Sequence, residues 1–183
     1  MTTTTTLRAE GLLLRPWRPE DATALADAAR DALLRRFTSL AVADPTEARA
    51  WIDVQRHGWR TGERLAFAVF AARSDAVEGE LLGQTVLKRN SEAGQGVAEV
   101  GYWTSAPARG RAVAPRALEA LTRWAFASYE LDRLELFHRV DNHGSCRVAE
   151  KAGYPFRQLL SARPPAFPRE GHLHVRTAAA PAG

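Results

Sequence analysis

The chemistry in this chain concentrates in AEVGYWTSAPARGRAVAPRALEAL, residues 98–121. A strand pattern runs into a loop of small residues, which runs into a helix pattern. The first amides of a helix have no intrahelical acceptor and sit at the positive end of its dipole, so such a junction can hold a phosphate. Gly110, Ala112 and Ala114 would let a ligand approach the backbone closely, and Arg109, Arg111 and Arg116 bring positive charge. Pro115 suits a first helical turn, where its missing N–H costs no intrahelical bond. The same residues also fit an ordinary strand–helix connection with surface arginines. The spacing matches neither GxxxxGKS/T nor GxGxxG, which disfavours a nucleoside triphosphate or a Rossmann-bound dinucleotide.

Other reactive side chains are fewer. His172 and His174 alternate, as two ligands on one strand face would, but no further Cys or His adjoins them in the sequence. No metal is therefore expected. His138, on a strand pattern, reads as a packed or surface histidine. Cys146 is the only cysteine, which excludes an internal disulfide and a Cys-rich zinc site. With no activating partner in view, it reads as a buried thiol rather than an acyl carrier. Trp17, Trp51, Trp59, Trp103 and Trp124 are scattered over helix and strand patterns and read as core or cleft walls.

The elements that must position these groups belong to a chain of 183 residues, 45% apolar and 25% charged. That is the size and balance of one globular domain. A single domain over residues 8–177 is expected, with disordered tails at 1–7 and 178–183. The net charge of +4 is carried almost wholly by arginine, Lys88 and Lys151 being the only lysines. No run of five like charges marks a nucleic-acid arm, and the apolar run Leu65–Ala72 is far short of a membrane span. No nucleic acid and no membrane is expected as a partner. The opening MTTTTTLRAEG carries no apolar signal core, so the expected compartment is the cytoplasm.

Periodicity gives the order β-α-α-β-β-β-α-β-α-β-β, an α/β (α+β) arrangement around one mixed sheet. A strand at Leu12–Arg15 ends at Pro16. A helix opens at Pro19-Glu20-Asp21 and buries Ala22, Leu25, Ala26, Ala29 and Leu33. Asp44 caps a second helix, whose period takes in Trp51 and Val54. Strands follow at Leu65–Ala72, Leu81–Arg89 and Val97–Thr104, with a turn at Ser91–Gly96. In the last strand Ala98, Val100 and Tyr102 face one way and Glu99, Gly101 and Trp103 the other. A long helix from Val113 to Tyr129, a strand at Leu134–Val140 and a short helix at Asn142–Ala152 follow. Tyr154–Leu160 and Leu173–Thr177 close the sheet.

The loop resembles the acetyl-CoA-binding motif of the GNAT N-acyltransferases, Arg/Gln-x-x-Gly-x-Gly/Ala, read here as Arg109-Gly110-Arg111-Ala112-Val113-Ala114. Ala112 stands where that family usually has glycine. A second stretch, LELFHRVDNHGSCRVAEKAGY (134–154), is similar to the RimJ/RimL-type branch, which acetylates protein N-termini and related amines. The matching residues are Asn142, Ser145, Arg147, Val148, Ala149, Glu150, Lys151, Gly153 and Tyr154. LLLRPWRPED (12–21) and AEVGYW (98–103) also look like that branch. The likeness covers about residues 8–160; the end of the chain is shorter and richer in proline.

The resemblance implies a GNAT-like fold: a mostly antiparallel twisted sheet flanked by helices, with strands 97–104 and 134–140 splayed around the cofactor. It implies an acetyl-CoA-dependent N-acetyltransferase in which a primary amine, a protein N-terminal α-amine or a small amine, attacks the thioester directly in a ternary complex. Acetyl-CoA would be a cosubstrate held by Tyr102, Trp103, Arg109, Gly110, Arg111, Ala112, Val113, Ala114, Asn142, Ser145 and Arg147. A backbone amide near Tyr102–Trp103 would polarise the acetyl carbonyl. Ser145 would donate a proton to the leaving sulfur, and Glu99 would act as general base, directly or through water. Asn142 and Ser145 equally suit helix capping, and Glu99 equally suits an ion pair at the sheet surface. An α-amine is roughly a tenth neutral at pH 7, against about one lysine in 2,500, so an N-terminal acceptor needs only a weak base. A larger acyl group such as succinyl, a non-catalytic acyl-CoA-binding regulator, and a homodimer by analogy all stay open.

Overall fold

The structure, a computed structural model, describes residues 5–73, 78–89, 94–165 and 168–179. Parts of the expected tails (1–4 and 180–183) and of the expected turn at Ser91–Gly96 (91–93) lie outside the described residues.

Among the described residues eight strands are present: β1 (Leu7–Ala9), β2 (Leu12–Pro16), β3 (Arg64–Ala72), β4 (Glu78–Lys88), β5 (Val97–Thr104), β6 (Arg133–Arg139), β7 (Phe156–Leu160) and β8 (Gly171–Thr177). They form one sheet in the order β1-β2-β3-β4-β5-β6-β8-β7. Every neighbouring pair is antiparallel except β5 and β6. A parallel pair needs a crossover, which α4 (Val113–Ser128) supplies. The expected mostly antiparallel mixed sheet is thus present. Strand β1 went unread because it has three residues; it begins at Leu7, one residue inside the expected tail.

Helices cover both faces. On one, α1 (Ala22–Ala29), α2 (Ala32–Phe37) and α3 (Pro45–Thr61) pack Leu25, Leu34 and Ile52 against Ala66, Ala68, Val86 and Trp103. On the other, α4 and α5 (His143–Lys151) set Leu118, Leu121 and Ala149 against Phe67, Leu87, Ala98, Val100 and Leu134. Burying one such leucine contributes about 1.5–3 kcal/mol, so these faces hold the strands in place. The alternation expected in β5 is observed: Ala98 and Val100 lie on the α4 side and Trp103 on the other.

The helix expected from Pro19 to Leu33 divides. The Asp31 carboxylate accepts from the amides of Leu33 and Leu34 at 3.3 Å each, which starts α2 as a separate helix. Leu34 is then buried, while Leu33, expected inside, is 48% exposed. In α3 the buried stripe runs through Ala48, Ile52 and Gln55, leaving Val54 outside.

One feature of register creates the site. Strands β5 and β6 pair from Val97↔Arg133 to Val100↔Leu136 and no further, although β5 continues to Thr104 and β6 to Arg139. Beyond Leu136, β6 stays with β8 while β5 stays with β4. The two strands therefore part, as the splayed arrangement requires.

Candidate active site

The gap between the parted strands is a cleft of about 810 Å³, lined on one wall by Gly101–Thr104 and on the other by Leu136–His138 and Asn142–Ser145. The loop after β5 forms one end of it. Gly110 (φ 76°) and Ala112 (φ 53°) are both in the left-handed region, and Ala112 is the only non-glycine residue there among those described. Two near-consecutive inversions turn the chain so that α4 starts at Val113 with no side-chain cap. No acceptor takes the amides of Val113 or Ala114 among the described residues. A left-handed conformation costs an alanine roughly 1–2 kcal/mol, so something must hold this loop. Arg116 does so: its guanidinium donates to the carbonyls of Ala112 (3.1 Å), Arg111 (2.9 Å) and Glu10.

The three arginines expected near a diphosphate are thus already engaged. Arg116 clamps the loop, Arg111 reaches Glu80 at 3.1 Å, and Arg109 is hydrogen-bonded to Asp31 and to the Thr104 carbonyl. The Arg109 guanidinium holds the Asp31 carboxyl below its usual range. Arg109, Gly110, Ala112, Val113 and Ala114 line the cleft; Arg111 and Arg116 do not. Arg147 and Lys151, one turn apart on α5, also line it, are exposed, and make no ion pair among the described residues.

At the centre of the cleft the Tyr102 hydroxyl donates to Ser145 Oγ at 2.9 Å. Burial pushes the Tyr102 phenol up to about 12, so it stays protonated across the neutral range. With Tyr102 as donor, the Ser145 hydroxyl hydrogen is free to serve another acceptor. Sequence reasoning placed Tyr102 and Ser145 in the site separately but missed their bond. Asn142 caps α5, its Oδ1 accepting from the Ser145 amide at 3.2 Å. The cap both lines the cleft and fixes the residue that carries the hydroxyl.

Glu99 lies at the cleft wall too. It receives Lys88 Nζ at 2.5 Å from the directly opposite position on β4, both side chains a third exposed. Glu99 thus makes the sheet ion pair that one reading expected, while its side chain also lines the cleft. On the same face, Trp103 is 5% exposed, and its indole N–H has no partner among the described residues.

The expectation for the histidines needs correction in its premise. His172 and His174 do have partners: β6 brings His138 to them, and α5 brings Cys146 within 3.2 Å of His172 Nδ1. Burial raises the Cys146 thiol. Register between β6 and β8, which no local pattern reports, makes this meeting.

Residues 11–155 match the model of the acetyltransferase (GNAT) domain. The chain belongs to the GNAT acetyltransferase family. No curated protein matches its sequence. Solved GNAT folds similar to it include a Vibrio cholerae protein provisionally described as a ribosomal-protein-serine acetyltransferase (24% identity, 97% of this chain and 100% of the other, TM-score 0.83). RimJ from Mycobacterium smegmatis, solved with CoA-disulfide, is similar at 23% identity over 96% of this chain and 87% of the other, TM-score 0.77. A GNAT-family acetyltransferase from Bacillus anthracis is similar at 18% identity over 94% and 98%, TM-score 0.79. At these identities the likeness is one of fold. The GNAT domain of this chain accordingly has the expected α/β architecture, and none of its helices among the described residues is long and apolar enough to cross a membrane.

Proposed function

We propose that this chain is an acetyl-CoA-dependent N-acetyltransferase of the RimJ/RimL type, transferring acetyl to a primary amine by direct attack in a ternary complex. The observation that carries the reading is the parting of β5 and β6 around a hydroxyl pair, Tyr102 and Ser145, with an amide-bearing loop at one end. The left-handed turn at Gly110 and Ala112 supports a diphosphate contact, because it leaves the first amides of α4 without protein acceptors. Arg147 and Lys151, without an ion-pair partner among the described residues, offer positive charge for the remaining phosphate. The solved RimJ with CoA-disulfide has the same fold and lends the assignment its cosubstrate.

The steps follow from the residues. The β6-facing edge of Gly101–Thr104 has no strand partner, so a main-chain amide near Tyr102–Trp103 can donate to the thioester carbonyl. That donor stabilises the oxyanion formed when the amine attacks. Ser145 Oγ then protonates the departing sulfur, and Tyr102 replaces that proton along the 2.9 Å bond. Glu99, paired with Lys88, takes the proton released by the amine, directly or through water. A weak base suits an α-amine better than a lysine. The acceptor would enter between α1–α3 and the C-terminal strands, in the cytoplasm.

Thermal shift with CoA, acetyl-CoA and succinyl-CoA tests the cosubstrate, since a ligand at a hundred times its Kd adds about 2.7 kcal/mol. Single-turnover transfer to a panel of N-terminal peptides and free amines tests the reaction. Binding of acetyl-CoA with no turnover on any amine would overturn the catalytic reading.

A further inference from the structure

Four side chains from three elements converge at one point beside Ser145. The antiparallel register of β6 and β8 sets His138 opposite His172, with His174 two residues further along β8. Cys146 reaches the same point from α5. The ligand atoms of all four lie within 4.8 Å of one another. His138 Nε2 is 3.1 Å from His174 Nε2 and 3.5 Å from Cys146 Sγ, and Cys146 Sγ is 3.2 Å from His172 Nδ1.

The far sides of two rings decide what the near sides can do. His138 Nδ1 lies 2.8 Å from the Arg139 carbonyl and His174 Nδ1 lies 3.0 Å from the Tyr154 carbonyl. A carbonyl oxygen only accepts, so each Nδ1 carries the hydrogen and each neutral ring turns a bare lone pair on Nε2 inward. Two lone pairs 3.1 Å apart repel unless a cation lies between them. A proton shared by the two rings would satisfy that pair alone. It gives no reason for a thiol and a third imidazole to close on the same point.

We propose that His138, Cys146, His172 and His174 form a tetrahedral site for one zinc-class transition-metal cation. With Zn–N near 2.0–2.1 Å and Zn–S near 2.3 Å, the edges of such a tetrahedron are roughly 3.3–3.6 Å; three of the separations are 3.1, 3.2 and 3.5 Å, and the rest lie within 4.8 Å, so small side-chain shifts would close the set on one ion. The backbone carbonyls behind His138 and His174 fix the tautomer as outer-shell acceptors do at metal sites. Three imidazoles and a thiolate suit zinc or cobalt and not magnesium or calcium, which take oxygen ligands. Four protein ligands leave no open position, so the ion's role is structural. On binding, the Cys146 thiol gives its proton to solvent and its sulfur bonds the metal. The ion then ties α5 to β6 and β8 one residue from Ser145.

The test uses the tag-free full-length chain. Its zinc content is measured after purification without chelators, and the stripped protein is then titrated with Co²⁺ alone. The expected results are about one zinc per chain and, with cobalt, intense tetrahedral d–d absorption together with a thiolate-to-cobalt charge-transfer band. Because Cys146 is the only thiol in the chain, that band can come from nowhere else, and the wild-type spectrum decides even if variants misfold. Cys146→Ser should lose the band, His172→Ala should lose stoichiometric metal, and added Zn²⁺ should raise the melting temperature of the stripped wild type only. No cobalt uptake, a weak octahedral spectrum without charge transfer, or a band that survives in Cys146→Ser would overturn the site. None of these readouts involves acetyl transfer, so they stand apart from the proposed function.

Discussion

The two ends of the β5–β6 seam make unlike environments from the same two strands. At the paired end, Ala98, Val100, Leu134 and Leu136 are at most 1% exposed and lie under Leu118 and Leu121 of α4. At the parted end, Tyr102 and Ser145 line solvent-reachable space. The difference teaches that the cleft is made by ending a ladder. Four register positions of parallel pairing hold the strands rigidly enough for the next four residues of β5 to offer main-chain groups to a ligand. The closed end sets stability, and the open end sets chemistry.

Substitutions at the two ends should therefore separate those quantities. The largest effect is expected at the closed end, where Leu134→Ala should cost about 2–5 kcal/mol of unfolding free energy, read from urea melts. Its rate per folded molecule should stay near that of the wild type. At the open end, Ser145→Ala should leave the acetyl-CoA thermal shift intact and lower kcat by about 100-fold or more. An unchanged kcat would remove Ser145 as the proton donor. Tyr102→Phe should slow turnover less, on the order of tenfold, because Ser145 keeps its hydroxyl. Ala112→Gly, at the rim of the open end, should relieve left-handed strain and add about 1 kcal/mol, with tighter CoA binding by calorimetry. The smallest effect concerns pH. Arg109 depresses the Asp31 carboxyl, so the pair's contribution is complete above the ordinary carboxylate value near 3.9. It is lost as pH falls through the lowered folded value. For a partly exposed pair this is about 1 kcal/mol or less. The melting temperature of wild type should drop more steeply in acid than that of Asp31→Asn.

What the sequence disclosed follows the same division. The closed end was legible because its signals are local: alternation in residues 97–104, a 3.6-residue stripe in α4, and a small-residue loop between them. The Asn142 cap was legible for the same reason, three residues from the amide it serves. The open end depends on meetings across long stretches of chain. Tyr102 and Ser145 are 43 residues apart, and Arg109 and Asp31 are 78 apart. Neither bond follows from spacing, and resemblance to a family supplied the residues without the contact. The split between α1 and α2 shows a local signal misread: Asp31 stood in the sequence as a cap, but the apolar period ran across it. The histidine cluster was missed because two alternating ligands give no sign of which strand lies beside them.

The Arg116 clamp ties together parts of the molecule that share no chemistry. Its third hydrogen bond runs to the carbonyl of Glu10, in the turn joining β1 to β2. The opening residues thus brace a bend made a hundred positions later. Trimming them to tidy a preparation would slacken the loop end of the cleft while leaving every reactive side chain in place.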